Sequence, residues 1–308
     1  MDMPLRDYRQ LLAPDSDRVR FERPYYESIK ESGLMCADMH FHTHLSDSYT
    51  SLSSALSLAE KRGVGFAVTD HNLIGGVLEA YELRKKDGPM VVPGIEISSW
   101  DGPHILVYFY TIDELKEYWE RNVKPYLGGC PWLSIDKGTE WILDSLEGVN
   151  CVISAAHPLG YLVAVKGFQK AIDHGRFGPE LVKRLDAYEV ICSGMFRGEN
   201  VTAWKLAESY GIGYTGGSDG HLLWELGSVL TVSDASDLDG FLDSIKKHRN
   251  AVLGHEKDVP KKFLMAMTSL SRFAALYPLS SAKGDLDHII YHGTKERPGS
   301  SEMRPQDD

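Results

Sequence analysis

Three histidines and two aspartates fall within ten residues in Asp38-Met39-His40-Phe41-His42-Thr43-His44-Leu45-Ser46-Asp47. His40 and His42 are two apart at the end of a stretch that reads as a β-strand, so both imidazoles point to one side of a sheet and can grip one cation. Asp47 follows once the backbone has turned, which brings a carboxylate to the pair from off the strand. So dense a polar set makes a poor hydrophobic core, because each buried polar group needs a partner. A metal cluster would supply those partners.

The elements that must position such a cluster can be read along the chain. A strand over residues 34 to 41 carries the histidine pair, and one over 65 to 69 runs into Asp70-His71. A third, 90 to 97, carries Glu96; a fourth, 104 to 110, opens on His104; a fifth, 151 to 156, ends at His157-Pro158. A sixth, 186 to 191, leads through Ser193 and Gly194 to Arg197, and a seventh, 212 to 217, ends at Ser218-Asp219-Gly220-His221. Helical spacing is predicted near 51 to 62, 75 to 86, 139 to 147 and 200 to 210. This alternation is the signature of a parallel sheet or barrel, whose strand ends share one rim where catalytic groups collect.

The donors gathered at that rim are nitrogen and oxygen without thiolate, which suits Zn, Mn or Fe better than Mg or Ca. They exceed what one tetrahedral ion can use, so two or three ions sharing a carboxylate are expected. Such a cluster lowers the pKa of bound water toward ~7 while a neighbouring ion holds the oxygen under attack, and the chemistry is hydrolysis. A phosphate substrate needs further cations. Arg197 after the sixth strand and Lys166 after His157-Pro158 are the candidates, with Tyr161 and Phe196 placed to stack on a base or line the mouth. Asp38 and Asp70 read as carboxylates that orient a histidine or a turn, and His44 as a surface or supporting residue.

The 308 residues carry a net charge of -11 and are 43% hydrophobic, enough for a substantial core but with no basic field to hold a long nucleic-acid backbone. Four scattered cysteines suggest neither a disulfide framework nor a zinc knuckle. The charged N-terminus and the lack of a long apolar run predict a cytoplasmic protein that does not engage a membrane. Residues 1–33 are expected to form an N-terminal extension on the outside, 34–256 the catalytic barrel, 257–292 a C-terminal helical extension and 293–308 a disordered tail. A strand near 228 to 232, a helix near 237 to 248 and a strand near 250 to 254 complete the barrel region, and a Pro- and Gly-rich stretch over 122 to 138 reads as a long loop able to cover a site. A helix over 260 to 279 is predicted to dock through Phe263, Met267, Leu270 and Ala274, and the same helix is a candidate oligomerisation surface.

The runs His40-Phe41-His42-Thr43 with Ser46-Asp47, Thr69-Asp70-His71-Asn72, Gly94-Ile95-Glu96-Ile97-Ser98, Ala156-His157-Pro158 and Gly217-Ser218-Asp219-Gly220-His221 resemble the polymerase and histidinol phosphatase (PHP) domain family, in the family's order, over about residues 35 to 255. The resemblance implies an α/β fold, a distorted (β/α)7 TIM-like barrel, holding three metal ions. It implies His40, His42, Glu96 and Asp219 as ligands of one ion, Glu96 as a bridge to a second held by His104 and His157, and Asp47, His71 and His221 as ligands of a third. Gly220 stands where many members have alanine.

The function this implies is a metal-dependent phosphoesterase hydrolysing a small phosphomonoester, a nucleotide or sugar phosphate, by a metal-bound hydroxide. His157 or His221 would protonate the leaving group and Arg197 would balance charge. Three alternatives stay open: a 5′-end exonuclease on short oligonucleotides, a non-catalytic metal-binding regulatory module, and a hydrolase of a carboxy group using the same metal logic.

Overall fold

The computed structural model describes residues 6–14, 16–160 and 165–277. Its strands are β1 (Val19–Phe21), β2 (Met35–Phe41), β3 (Gly65–Val68), β4 (Val91–Ser98), β5 (His104–Phe109), β6 (Cys151–Ala155), β7 (Ala187–Cys192), β8 (Gly213–Gly217), β9 (Val229–Ser233) and β10 (Ala251–Gly254). They form one sheet in the order β1-β10-β9-β2-β3-β4-β5-β6-β7-β8. The sheet curls until the chain beyond β8 returns to β2. There the Gly220 N–H donates to the His40 carbonyl at 3.3 Å, and the His42 N–H donates to the Gly220 carbonyl at 2.9 Å. Only glycine allows this approach at position 217, where a Cβ would lie 2.3 Å from that of His40.

The helices are α1 (Tyr26–Ser32), α2 (Leu52–Arg62), α3 (Gly75–Leu83), α4 (Ile112–Asn122), α5 (Thr139–Leu146), α6 (Phe168–Asp173), α7 (Arg197–Tyr210), α8 (Leu238–Lys246) and α9 (Val259–Leu276). In α2 the logic is local. Ser51 caps the start by accepting from Ser54 N–H, Gly63 ends it at φ 68°, and Leu52, Ala55, Leu56 and Ala59 are buried. In α8, Phe241, Leu242 and Ile245 pack with Met39, Leu106 and Tyr108 of the sheet.

The α/β class agrees with the sequence reading, but the sheet is a mixed one of ten strands rather than seven parallel ones. The pairs β4–β5, β5–β6, β9–β2 and β10–β9 are antiparallel. The link from β4 to β5 is too short for a helical crossover, so β5 folds straight back. His104 thereby pairs with Ser98, at the rim where β4 ends.

Two further regions depart from expectation. Residues 8–32 do not merely coat the domain: β1 extends the sheet by pairing with β10, and Tyr8, Leu11, Val19 and Ile29 are buried. A three-residue strand is too short for periodicity to reveal. The predicted C-terminal helix forms, but its predicted docking face points outward. Phe263 is 68% and Leu270 60% exposed, while Met265 and Thr268 face the barrel. The surface beneath is polar, and the polar side of α9 finds its partners there. The parts of the expected C-terminal extension and tail beyond residue 277 lie outside the described residues.

Candidate metal centre

Six separate segments bring His40, His42, Asp47, His71, Glu96, His104, His157, Asp219 and His221 to one rim, and none is more than 7% exposed. His40 lies on β2, and His42 and Asp47 in the loop that follows. His71 lies just past β3, Glu96 on β4 and His104 at the start of β5, with His157 past β6 and Asp219 and His221 past β8. Three of the four described non-glycine residues with positive φ are here: Asn72 (54°), His157 (28°) and Asp219 (46°). Backbone held in that region costs of order 1–3 kcal/mol per residue and persists where the surroundings impose it.

Candidate ligand atoms fall into three groups, each within 4.8 Å: His40, His42 and Asp219; His71, Glu96 and His104; and His42, Asp47, His71 and His221. Glu96 is central. Its Oε2 lies 3.4 Å from both His40 Nε2 and His42 Nε2 and 2.9 Å from His71 Nδ1. Its Oε1 lies 2.9 Å from His104 Nδ1 and 3.3 Å from His157 Nε2. Asp219 Oδ1 is 3.3 Å from His42 Nε2 and 3.6 Å from His40 Nε2, and Asp47 Oδ2 is 2.9 Å from His221 Nε2. The three implied ligand sets are therefore close in space, with His42 standing between two of them.

Burial and charge compete strongly here. Burial alone would depress His40, but Glu189, Glu96 and Asp219 outweigh it and hold that imidazole well above its ordinary value. Burial likewise opposes charge on His221, yet Asp47 lifts it to about 9. Burial, then the neighbouring His221, pushes His42 down to about 4, and burial takes His104 to about 3 despite Glu96. Against the cost of burial, the imidazoles hold Asp47, Glu96 and Asp219 well below the usual carboxylate range.

This donor set fits divalent cations. His40 Nε2 and His42 Nε2 approach to 3.2 Å while both face the same carboxylate oxygen, and the buried His42 Nδ1 has no hydrogen-bond partner among the described residues. Several imidazole nitrogens aimed at one point cannot each be satisfied by protons. A cation bound at that point would accept their lone pairs together.

Supporting groups surround the cluster, some of them invisible to motif reading. Asp70 accepts from the Thr43 N–H and hydroxyl, both at 2.7 Å, and Asp38 accepts from the N–H groups of Ser218 (2.8 Å) and Gly227 (2.7 Å), both as the sequence suggested. Glu189 on β7 was missed. Its Oε1 lies 3.0 Å from His40 Nδ1 and its Oε2 accepts the His157 N–H at 2.7 Å. Also missed was Lys257, buried with its Nζ 3.0 Å from Glu225 Oε1 and donating to the Asp219 carbonyl at 3.0 Å, while Glu225 Oε2 accepts the His221 N–H at 2.8 Å. The one available signal was Glu189 inside an apolar strand, since a buried carboxylate needs a partner.

Arg197 is not brought to the cluster. Its Nε donates to Glu256 at 2.7 Å and its guanidinium lies 4.4 Å from the Phe21 ring centre, so its charge is committed elsewhere. The position after β7 that suggested it is the first turn of α7, which points the side chain outward. Phe196 is 45% exposed with Lys262 Nζ over its ring, His44 pairs with Glu79 at 3.5 Å, and Tyr161 lies outside the described residues. Lys166 is exposed beside the site: its carbonyl accepts the His104 N–H at 3.0 Å, and its charge acts on His71 and His104.

A family profile described as PHP-associated matches residues 197–250. Among curated proteins, a phosphoribosyl 1,2-cyclic phosphate 1,2-diphosphodiesterase of Eggerthella lenta is 38% identical over 68 residues, 22% of this chain and 26% of that protein. The match therefore spans about a quarter of that relative. An uncharacterised protein of Methanocaldococcus jannaschii is 32% identical over 148 residues, 40% of this chain and 84% of its own length.

Two solved structures share the fold at 16% identity. A two-domain protein of Bacteroides vulgatus containing a predicted PHP-like metal-dependent phosphoesterase aligns with a TM-score of 0.53 over 80% of this chain and 72% of that one. The lesion-specific endonuclease Q of Pyrococcus furiosus aligns with a TM-score of 0.56 over 71% and 57%. The profile match and the Eggerthella lenta relative place the chain in the PHP family, and the solved structures share its fold.

Proposed function

We propose that this protein hydrolyses a small phosphomonoester, a nucleotide or sugar phosphate, at a centre of two or three divalent ions, Zn, Mn or Fe. The observation that carries the reading is the convergence of nine buried imidazoles and carboxylates beside one exposed lysine. In this reading His40, His42, Glu96 and Asp219 hold one ion, Glu96 with His104 and His157 a second, and Asp47, His71 and His221 a third. Ions bound there would activate water at neutral pH and neutralise charge on the phosphoryl oxygens.

The chain's own groups do the rest. Glu189 holds His40 through Nδ1, which leaves Nε2 turned toward Glu96 and Asp219. Lys166 offers the positive charge that Arg197, paired with Glu256, does not, and so receives the phosphate. His157 and His221 are the imidazoles from which the leaving oxygen takes its proton. The net charge of -11 disfavours long polyanions, and the Eggerthella lenta relative is named for a phosphoribosyl substrate, which supports a small sugar phosphate.

The test is a screen of nucleoside monophosphates and sugar phosphates beside a short 5′-phosphorylated single-stranded RNA, with Mn or Zn added and elemental analysis of the purified protein. Phosphate release from a small ester is expected, lost by at least ~10²-fold in Asp219→Asn. Turnover of the RNA alone would favour the exonuclease alternative. A metal-loaded protein that turns over no phosphoester would favour the regulatory module.

A further inference from the structure

The contacts of α9 lie on the mouth of the barrel, at three separate places around it. Near its N-terminal end Lys262 Nζ donates to the carbonyls of Gly194 and Met195, in the loop after β7. At its centre the Ser269 hydroxyl donates to Asp47 Oδ2 at 2.6 Å, inside the candidate metal centre, and Arg272 donates to the His44 carbonyl in the loop after β2. Toward its C-terminal end the rings of Phe273 and Tyr277 pack on Trp132, in the segment between α4 and α5, with centroids 6.4 and 5.0 Å away. An 18-residue helix is about 27 Å long, enough to cross such an opening.

We propose that α9 is a cap across the metal centre that restricts it to phosphate groups on small carriers and shuts out nucleic-acid duplex. The proposal rests on the phosphoesterase reading above and names which phosphoesters that site accepts. While α9 is seated, Ser269 lies on Asp47 of the cluster and the helix runs from the loop after β7 to Trp132, a path a stiff duplex cannot follow, and the chain's net charge of -11 repels the polymer further. The seat is also light. Phe263, Leu264, Met267 and Leu270 are exposed on the outer face, so lifting α9 forfeits little apolar burial beyond Met265 and the Trp132 contacts. An element held mainly by polar contacts opens at low cost, and a partial lift admits a small ester.

The test compares the whole chain in three forms: wild type; a variant with Lys262→Ala, Arg272→Ala and Phe273→Ala; and a Tyr49→Cys, Ser271→Cys variant joined by a short bismaleimide. The Tyr49 and Ser271 hydroxyls are 3.2 Å apart, and the four native cysteines are buried and shielded from the reagent. The first readout is the rate at which EDTA strips bound Mn. Stripping should be at least ~10-fold faster in the unanchored variant and at least ~10-fold slower in the cross-linked one. The second is turnover of p-nitrophenyl phosphate against cleavage of a duplex carrying an abasic site. The ratio of duplex to small ester should rise at least ~10-fold on unanchoring. If the unanchored variant does not fold, the cross-linked protein still decides the matter. Stripping rates within about threefold across the chains overturn the cap, as does duplex cleavage by the wild type at the small-ester rate. Stripping that shifts as stated while no chain hydrolyses any phosphoester upholds the cap and removes the functional reading instead.

Discussion

Glu189→Gln keeps the volume of a buried side chain and removes one acceptor. The carboxylate faces two groups at once, His40 Nδ1 at 3.0 Å and the His157 N–H at 2.7 Å. An amide has a single oxygen, so one of these must face an NH2 group. Turned toward His40, the amide donates to Nδ1 and drives the imidazole proton to Nε2, the nitrogen directed at Glu96 and Asp219. A protonated nitrogen cannot ligate a metal. Turned toward His157, it leaves a buried N–H unpaired, at a cost of about 1–3 kcal/mol, on a residue already held at positive φ. Groups standing behind metal-ligating histidines are worth about 10–100-fold in metal affinity, or about 1.4–2.8 kcal/mol. Competition between the metal-free protein and a chromophoric chelator measures this directly, with circular dichroism to verify the fold. A dissociation constant for Zn or Mn within about threefold of wild type, in a folded variant, would refute the role assigned to Glu189.

Lys166→Met is expected to raise KM for a small phosphomonoester about tenfold with kcat little changed, since one charge-assisted contact is lost; steady-state kinetics on the metal-loaded protein checks it. Arg197→Ala, whose charge is already paired with Glu256 on an exposed surface, should leave kcat/KM within about twofold. Gly217→Ala would drive a Cβ into the His40 backbone and should destabilise the fold by about 1–3 kcal/mol, read from urea unfolding. In the metal-free protein Asp47 raises His221 to about 9 against burial, so the folded state retains a proton that the unfolded chain releases near 6.5. That contribution is complete below pH 6.5 and fades as pH rises through about 9, so the Tm of the metal-free protein should fall over this interval, whereas a bound metal displaces the proton and should remove the trend.

The legible part of this chain is the part written in strand-end residues. Eight of the nine candidate ligands sit at or near the end of a short apolar run and Asp47 follows in the loop after one, so residue type and position spoke together, and all nine meet in space. His104 joined for a reason the alternation could not give: it opens an antiparallel strand that folds back from β4. Glu189 and the Lys257–Glu225 pair were less visible because they act through hydrogen bonds between elements far apart in sequence, which carry no local spacing. Arg197 misled because lying after a strand says nothing about where a flexible side chain points. The face of α9 misled for a related reason. Apolar periodicity marks the buried side of a helix only when the surface beneath is apolar, and here it is a polar rim.

Anomalous diffraction from crystals grown with Mn or Zn tests the central claim most directly. Two or three peaks are expected among His40, His42, Asp47, His71, Glu96, His104, His157, Asp219 and His221, with Glu96 adjoining two of them. A fully loaded protein with no peak among these side chains, or with its ions bound elsewhere, would contradict the account.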